Sequence, residues 1–419
     1  MRGKLFIGSI IFLVVLSAFI AVFAGVFYFT EVNEERNIAV MSQKVENTVS
    51  KSSDTTKEQA TPVPENTAVP DSTPMPESTQ TPENSENNED LKIVAVGDIL
   101  LGRSVKLRAE KQPTRYIYPF EKSAEILKQG DIVFANLEES ITSSQKGLTP
   151  IDKGGKYVLK NEPEAIEGIK YAGFNLFSLA NNHILDYYEK GLLDTIDVLD
   201  KNGIVHAGAG KNLDEARQLK IIEKKGQKIG LLAYTDMAWV TYKGNPPLSF
   251  IATKEKSGVA PTQLDYIKED IEKARSEVDI LIVSLHWGIE YTYEPTAKQI
   301  DLAHQIIDSG ADMILGHHTH RFQSIEIYKD KPIFYSLGNF IFDQNNPENQ
   351  QGFIMEMSIR DKNLVGLKGI PFKIVNKSQV VPQSKASAAE MIKRQIKLND
   401  KLGTKSKLEN DTIVFELNN

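Results

Sequence analysis

The chain of 419 residues contains no cysteine. That absence excludes a disulfide framework, an iron–sulfur cluster, a thiolate nucleophile and cysteine-ligated zinc. Any metal must be held by His, Asp, Glu or Asn. Positive charge is in short supply too. Lys and Arg number 49 against 56 Asp and Glu, and the net charge of −7 argues against a general nucleic-acid binder. The acidic excess is local: Asp54, Glu58, Glu65, Asp71, Glu77, Glu83, Glu86, Glu89 and Asp90 face only Lys51 and Lys57 across residues 51–90, which accounts for the whole imbalance. The rest of the chain is balanced. Histidine is sparse, with 7 residues, so where each one falls is informative.

One long apolar run is present. Leu5 to Phe29 carries no charge. As a helix it would be roughly 37 Å long, enough to cross a hydrocarbon core of roughly 30 Å with some tilt. Arg2 and Lys4 precede it, and Glu31, Glu34 and Glu35 come after it. The positive-inside rule then predicts a cytoplasmic tip and a transmembrane anchor over residues 1–30, with the remaining chain extracellular. A cleaved signal peptide is the alternative, but the run is long for one and lacks a clear small-x-small cleavage site. Residues 31–90 read as a disordered linker. From 51 to 90 the chain is rich in Pro, Ser, Thr and Glu and has no aromatic residue. Such a composition cannot bury enough apolar surface to offset its ordering entropy, and proline keeps it extended.

From Leu91 the pattern changes. Short apolar runs at Lys92–Val96, Ile132–Ala135, Leu176–Leu179, Ile204–His206, Ile229–Tyr234, Ile280–Leu285, Met313–Leu315, Ile333–Ser336 and Phe353–Ile359 predict strands. Amphipathic stretches at Pro119–Gln129, Glu162–Ala172, Glu189–Asn202, Gln263–Glu277 and Ala297–Ser309 predict helices. The alternation implies an α/β domain over residues 91–375, with the sheet buried between helix layers. Residues 376–419 read as a peripheral C-terminal extension that includes a helix near Ala386–Lys401.

The informative residues lie at the ends of the predicted strands. These strands run into Gly97-Asp98, Asn136-Leu137-Glu138, Asn181-Asn182-His183, His286-Trp287-Gly288 and Gly316-His317-His318-Thr319-His320. Sites in open α/β sheets form beyond the carboxyl ends of strands, where distant segments converge. Taken singly, each motif has a plain structural reading: a turn, a cap or a packed histidine. Together they gather five of the histidines with carboxylates and amides, a donor set suited to zinc, manganese or iron rather than calcium. His206 and His304 have no such companions and read as structural. Trp287 reads as packing.

Those motifs, with Ile99-Leu100-Leu101-Gly102-Arg103 after Asp98, Ile289-Glu290 after Gly288 and Ser336-Leu337-Gly338-Asn339-Phe340, occur in an order that resembles the CapA family of poly-γ-glutamate capsule synthesis proteins. That family is similar to the calcineurin-like metallophosphoesterases. The resemblance covers about residues 92–345. It implies a four-layer αββα metallophosphatase-like sandwich with a metal centre of one or two divalent ions at one edge. By position, Asp98 matches the first-strand ligand and Glu138 the bridging carboxylate. Asn182, His286, His318 and His320 match the remaining ligands. His183 matches the histidine that assists the leaving group or steadies the transition state. His317 is an extra, and Asn136, Asn181, Arg103 and Glu290 are expected to support the ligands or bind substrate charge. The sequence departs from the phosphoesterases in two places. Leu100 stands where they carry the histidine of Asp-x-His, and the bridging position is a glutamate. The resemblance implies a membrane-anchored protein of capsule polymer synthesis. It would be a metal-dependent hydrolase or transferase acting on an anionic polymer such as poly-γ-glutamate. The alternatives are a non-catalytic accessory of a membrane-embedded synthase complex and a cell-wall phosphodiesterase.

Overall fold

The computed structural model of the chain describes residues 89–417, except 151, 154–156, 243 and 244. The chain divides between Asn84 and Ser85, and the description concerns the second unit. The expected anchor Leu5–Phe29 and all of the expected linker but its last two residues lie outside the described residues. Among the described residues no helix is long and apolar enough to cross a membrane.

In chain order the two main sheets use β1 (Leu91–Ile99), β2 (Ile132–Leu137), β3 (Leu176–Ser178), β4 (Val205–Ala207), β5 (Lys220–Lys224), β6 (Gln227–Thr235), β7 (Ile280–His286), β8 (Met313–His317), β9 (Ile325–Tyr328), β10 (Lys331–Phe334), β11 (Asn339–Ile341), β12 (Gln351–Arg360), β13 (Asn363–Val375), β14 (Gln379–Pro382), β15 (Ser406–Glu409) and β16 (Thr412–Phe415). The larger sheet has the order β15-β16-β13-β12-β1-β2-β3-β4, with β11 beside β1 and β14 beside β13. The smaller has the order β9-β10-β8-β7-β6-β5. The principal helices are α1 (Arg103–Ala109), α2 (Ala124–Leu127), α3 (Ile166–Ala172), α4 (Tyr188–Lys201), α5 (Leu264–Ala274), α6 (Ala297–Asp308) and α7 (Lys385–Asp400).

Strand alternation sorts the apolar side chains into layers. On β1, Leu91, Ile93 and Ala95 share one core with Ile229 and Leu231 of β6, Ile280 and Ile282 of β7, and Met313 and Leu315 of β8. The two sheets therefore pack face to face. Val94 and Val96 point the other way and meet Ile169 and Ala172 of α3 and Leu192 and Leu199 of α4. On the far side, Leu281, Val283 and Leu285 of β7 pack on Ile267 and Ile271 of α5 and Ala303 and Ile306 of α6. Strands covered on both faces must be apolar on both, which is why β7 reads ILIVSLH and is buried throughout. Each fully buried Leu or Ile contributes about 1.5–3 kcal/mol.

The structure differs from the sequence expectation in several places, β5, β9, β11 and β14 among them, since no strand was expected there. The helix expected at Pro119–Gln129 is a 3₁₀ turn, Arg115–Phe120, with Pro119 inside it, followed by the single-turn α2. Strand β13 was not anticipated, because Gly366, Gly369 and Pro371 interrupt its apolar pattern. The segment after 376, expected to be peripheral, is built into the fold. β16 pairs with β13, and Ala388, Met391 and Ile392 of α7 join Ile413 and Phe415 in the core between the sheets.

Parallel pairing of β1 with β2, β2 with β3, β6 with β7 and β7 with β8 aligns their carboxyl ends. The polar motifs occupy this edge.

Candidate metal centre

Asp98 sits where β1 changes its pairing. Through Ala95 the strand pairs with β12, but Asp98 lies opposite Asn136 of β2 and Asn339 of β11. Gly97 makes this possible. A Cβ there would stand 1.9 Å from the Gly338 carbonyl oxygen, which also accepts the Asp98 N–H at 2.8 Å. No other residue tolerates so close a backbone approach.

Asparagines tie the two sheets together. Asn136 Nδ2 donates to Asp98 Oδ1 at 2.9 Å and lies 3.4 Å from His286 Nδ1. Asn181 Nδ2 donates to Asn136 Oδ1 at 3.1 Å and to the Leu137 carbonyl at 2.8 Å. Its Oδ1 accepts the N–H groups of His183 and Ile184, both at 3.0 Å, so Asn181 shapes the turn that presents Asn182 and His183. From the smaller sheet, His286 Nε2 lies 3.0 Å from Asn182 Oδ1, 3.2 Å from His318 Nδ1 and 3.9 Å from Glu138 Oε1. His317 Nδ1 lies 3.1 Å from Asp98 Oδ1, with its ring against Phe134. His320 Nδ1 is 3.9 Å from Asp98 Oδ2 and 2.9 Å from Asn339 Oδ1. His318 and His320 hold positive φ, 91° and 58°. Such backbone costs about 1–3 kcal/mol per residue and persists where the surroundings enforce it, often at functional sites.

Asp98 and Glu138 are fully buried carboxylates. Asp98 Oδ2 and both oxygens of Glu138 have no hydrogen-bond partner among the described residues. Asp98, Glu138 and His286 each offer a ligand atom, all within 4.8 Å of one another. Burial, then the neighbouring Asp98 charge, pushes Glu138 well above the usual carboxylate range. Burial also works against ionised Asp98, but the hydrogen bond and charge of His317, with His320 and Asn136, outweigh it and hold Asp98 low. Burial, with the imidazoles of His318, His317, His320 and His183, holds His286 neutral far below its ordinary value. Three carboxylate oxygens without donors, Asp98 Oδ2 and both of Glu138, beside a neutral imidazole, form a cage for a divalent cation.

His183 stands at the margin, with Nε2 4.0 Å from Glu138 Oε1. Behind it is a buried trio. His183 Nδ1 lies 2.7 Å from Asp186 Oδ2, and Lys153 Nζ lies 2.5 Å from Asp186 Oδ1, 3.0 Å from His183 Nδ1 and 3.1 Å from the Asn182 carbonyl oxygen. Asp186 Oδ2 also accepts the Leu159 N–H at 2.6 Å. Burial, then the Lys153 charge, lowers His183 to about 4 despite Asp186. Glu139 next door accepts the N–H groups of Leu101 and Gly102 at 2.8 and 2.9 Å, and burial raises it to about 8. It fixes the turn into α1 and so the place of Arg103. A cavity of about 440 Å³ opens beside Asn182, His183 and His320 and is walled by Arg103, Tyr157, Glu290, Tyr291 and the amide-rich run Gln344–Asn346. The Arg103 guanidinium stacks 4.1 Å over the Tyr157 ring, and its Nε is 3.4 Å from Asp343.

The sequence profile of the bacterial capsule synthesis protein PGA_cap family matches residues 92–344. The chain belongs to this family. Among PGA_cap relatives, it is 33% identical over 336 residues to the capsule biosynthesis protein CapA of Bacillus anthracis, covering 79% of each chain. It is 34% identical over 272 residues to the PGA biosynthesis protein CapA of Bacillus subtilis, covering 65% of this chain and 68% of that protein. Of solved structures, a hypothetical protein from Thermus thermophilus overlaps 68% of this chain and 99% of its own at 16% identity and a TM-score of 0.39. The 5'-nucleotidase from Candida albicans overlaps 69% of this chain and 53% of its own at 11% identity and a TM-score of 0.37.

In this PGA_cap chain, Asp98, Asn136, Glu138, Asn181, Asn182, His183, His286, His317, His318 and His320 converge on one edge. Arg103 and Glu290 line the cavity that Asn182, His183 and His320 also border. His206 and His304 pair elsewhere, with Asp200 at 3.0 Å and Glu326 at 2.9 Å. Trp287 packs on Tyr335 and donates Nε1–H to the Tyr335 carbonyl oxygen at 2.9 Å. Sequence reasoning missed Lys153, Asp186, Glu139 and the placement of Asn339. Asp186, three residues after His183, had a readable signal. Lys153 arrives from a separate loop and had none.

Proposed function

We propose that this chain is a membrane-anchored, extracellular, metal-dependent protein of poly-γ-glutamate capsule synthesis, with a metallophosphatase-like site that acts as a hydrolase or transferase. The observation that carries the reading is the convergence of Asp98 Oδ2 and both Glu138 oxygens, buried and without donors, with His286. Burial pushes Glu138 well above the usual carboxylate range, and a divalent cation beside Glu138 and Asp98 Oδ2 would stabilise both as carboxylates. Asp98, Glu138, Asn182, His286, His318 and His320 would hold manganese, zinc or iron. Such an ion supplies Lewis acidity and a water of lowered pKa.

The chain's own groups do the rest. Asp186 Oδ2 accepts only and makes the shorter contact with His183 Nδ1, 2.7 Å, while the Lys153 ammonium 3.0 Å away already donates to Asp186 Oδ1 and the Asn182 carbonyl oxygen; the proton is therefore assigned to Nδ1, with the Nε2 lone pair facing the cation cage. His183 Nε2 would accept the proton of the attacking water and return it to the departing group as its bond to the substrate breaks. Arg103 supplies positive charge in the cavity for the carboxylates of an anionic polymer, and Gln344, Asn345 and Asn346 supply amide donors and acceptors for its backbone. Membrane-embedded synthase subunits would be the neighbours.

The test uses the full-length chain in mild detergent, loaded with Mn²⁺ and incubated with poly-γ-glutamate or an aryl phosphodiester. The expected result is a change in polymer length by size-exclusion chromatography, reduced on the order of 100-fold or more in His183→Ala. Metal-loaded protein inert toward both substrates, with capsule assembly unaffected by His183→Ala, would replace this reading with a non-catalytic role in the synthase complex. Activity on the phosphodiester alone would select a cell-wall phosphodiesterase.

A further inference from the structure

The histidine missing from the first motif leaves a question of charge and coordination. Leu100, at that place, is fully buried and packs with Leu159 and Phe342, so it offers the site nothing polar. Yet Asp98 Oδ2 remains a buried oxygen without a hydrogen-bond partner among the described residues. Beside it stands Asn339, from the Ser336–Phe340 motif, which the function proposed above leaves without a role. Asn339 is fully buried and lies directly across from Asp98 on β11.

Its amide orientation is unambiguous. One face meets the Asn349 carbonyl oxygen at 3.0 Å, which can only accept, and Gln344 Oε1 at 3.3 Å. That face is therefore Nδ2, and Oδ1 is the atom 2.9 Å from His320 Nδ1. The group repeats a pattern already present in the other half of the site. There an amide oxygen, Asn182 Oδ1, lies 3.0 Å from an imidazole nitrogen of His286, and a partnerless carboxylate oxygen, Glu138 Oε1, lies 3.9 Å from the same nitrogen. Here Asn339 Oδ1 lies 2.9 Å and Asp98 Oδ2 3.9 Å from His320 Nδ1. Ligands about 2.1 Å from one ion stand roughly 3.0 Å apart at right angles and roughly 4.2 Å when opposed, a range that these separations match to within about 0.1 Å.

We propose that Asn339 Oδ1 is a metal ligand that, with Asp98 Oδ2 and His320 Nδ1, forms a second cation position beside the one built from Glu138, Asn182 and His286. The strand next to Asp98 thus supplies the donor that the first motif lacks. The inference rests on the metal-site reading above and adds one ion and one ligand to it.

The test loads the full-length chain with Mn²⁺ and measures bound metal by elemental analysis, with electron paramagnetic resonance to detect coupling between ions. Wild type is expected to hold two equivalents with a spin-coupled signal. Asn339→Ala is expected to hold one, with an uncoupled signal, and to bind the second more than about 100-fold more weakly, beyond the 10–100-fold cost of losing an orienting partner. Asn339→Asp keeps an oxygen in place and is expected to restore two. His286→Ala is expected to show the reciprocal loss. If circular dichroism shows that the alanine variant is unfolded, Asn339→Leu replaces it at nearly constant volume. Two equivalents in Asn339→Ala, or a loss within the 10–100-fold range, would overturn the proposal in favour of Asn339 merely orienting His320. A single ion in wild type that survives Asn339→Ala and disappears in His286→Ala would overturn the proposal and leave the functional reading standing. No metal in wild type would overturn both.

Discussion

Replacing Lys153 by Met should destabilise the fold by about 3 kcal/mol. The ammonium lies 2.5 Å from Asp186 Oδ1, and the two side chains are 1% and 0% exposed. Removing one partner of a buried ion pair typically costs about 3–5 kcal/mol, because the other charge is left in a low dielectric. The lower end applies here, since Asp186 keeps the Leu159 N–H and the His183 imidazole as donors. Asp186→Asn strands the ammonium instead and should cost a similar amount. The double variant buries neither charge, so it should fall short of the sum of the single costs by about 2–3 kcal/mol. Urea denaturation followed by circular dichroism, in chelator-treated buffer, measures all four corners of the cycle. A cost below about 1 kcal/mol for Lys153→Met, or strict additivity, would refute the argument: the lysine would then not be an internal counter-charge.

Gly97→Ala should cost about 3 kcal/mol or more, because its methyl would stand 1.9 Å from the Gly338 carbonyl oxygen; thermal unfolding near wild type would show that the backbones can part. Leu315→Ala, which empties a buried position between the sheets, should cost about 2–5 kcal/mol by denaturant titration. The Glu269 carboxylate is held at about 2, below its ordinary 4.5, by hydrogen bonds from Lys273 and Arg217. Its folded value lies below its unfolded one, so its stabilisation is present above pH 4.5 and is lost as the pH falls toward 2. Glu269→Gln should therefore unfold earlier than wild type at pH 6 and together with it at pH 2, and an equal gap at both would exclude this linkage.

The strands that carry the site were legible because they are buried on both faces and end in residues that no core would choose. Asp98, Glu138, His183 and His286 could be named from that contrast alone. The smaller sheet's edge strand β5, with its Lys and Glu residues, was not legible, because an exposed edge has no apolar signature. Lys153 and Asn339 were hidden for another reason. Their placement depends on pairings between segments distant in sequence, and neither a lone lysine in a loop nor an asparagine after a glycine announces its partner. The resemblance to metallophosphoesterases drew attention to the absent histidine at Leu100. The sheet register shows what stands beside Asp98 instead.

The polar cluster is also a seam. Asp98, Glu138 and Asn182 ride on one sheet, and His286, His318 and His320 on the other, so an ion held between them would rivet two layers whose shared core is otherwise largely oily. Occupancy at 1,000 times the dissociation constant would add about 4 kcal/mol to the global stability. It would also resist one mode of motion in particular, the sliding of the sheets past each other. Amide hydrogens at the carboxyl ends of β1 and β7 should then exchange more slowly in loaded than in stripped protein, while those at the far ends of the same strands should be unaffected. The same mechanics run in reverse: a substitution deep between the sheets, remote from any ligand, would be felt as a change in metal affinity.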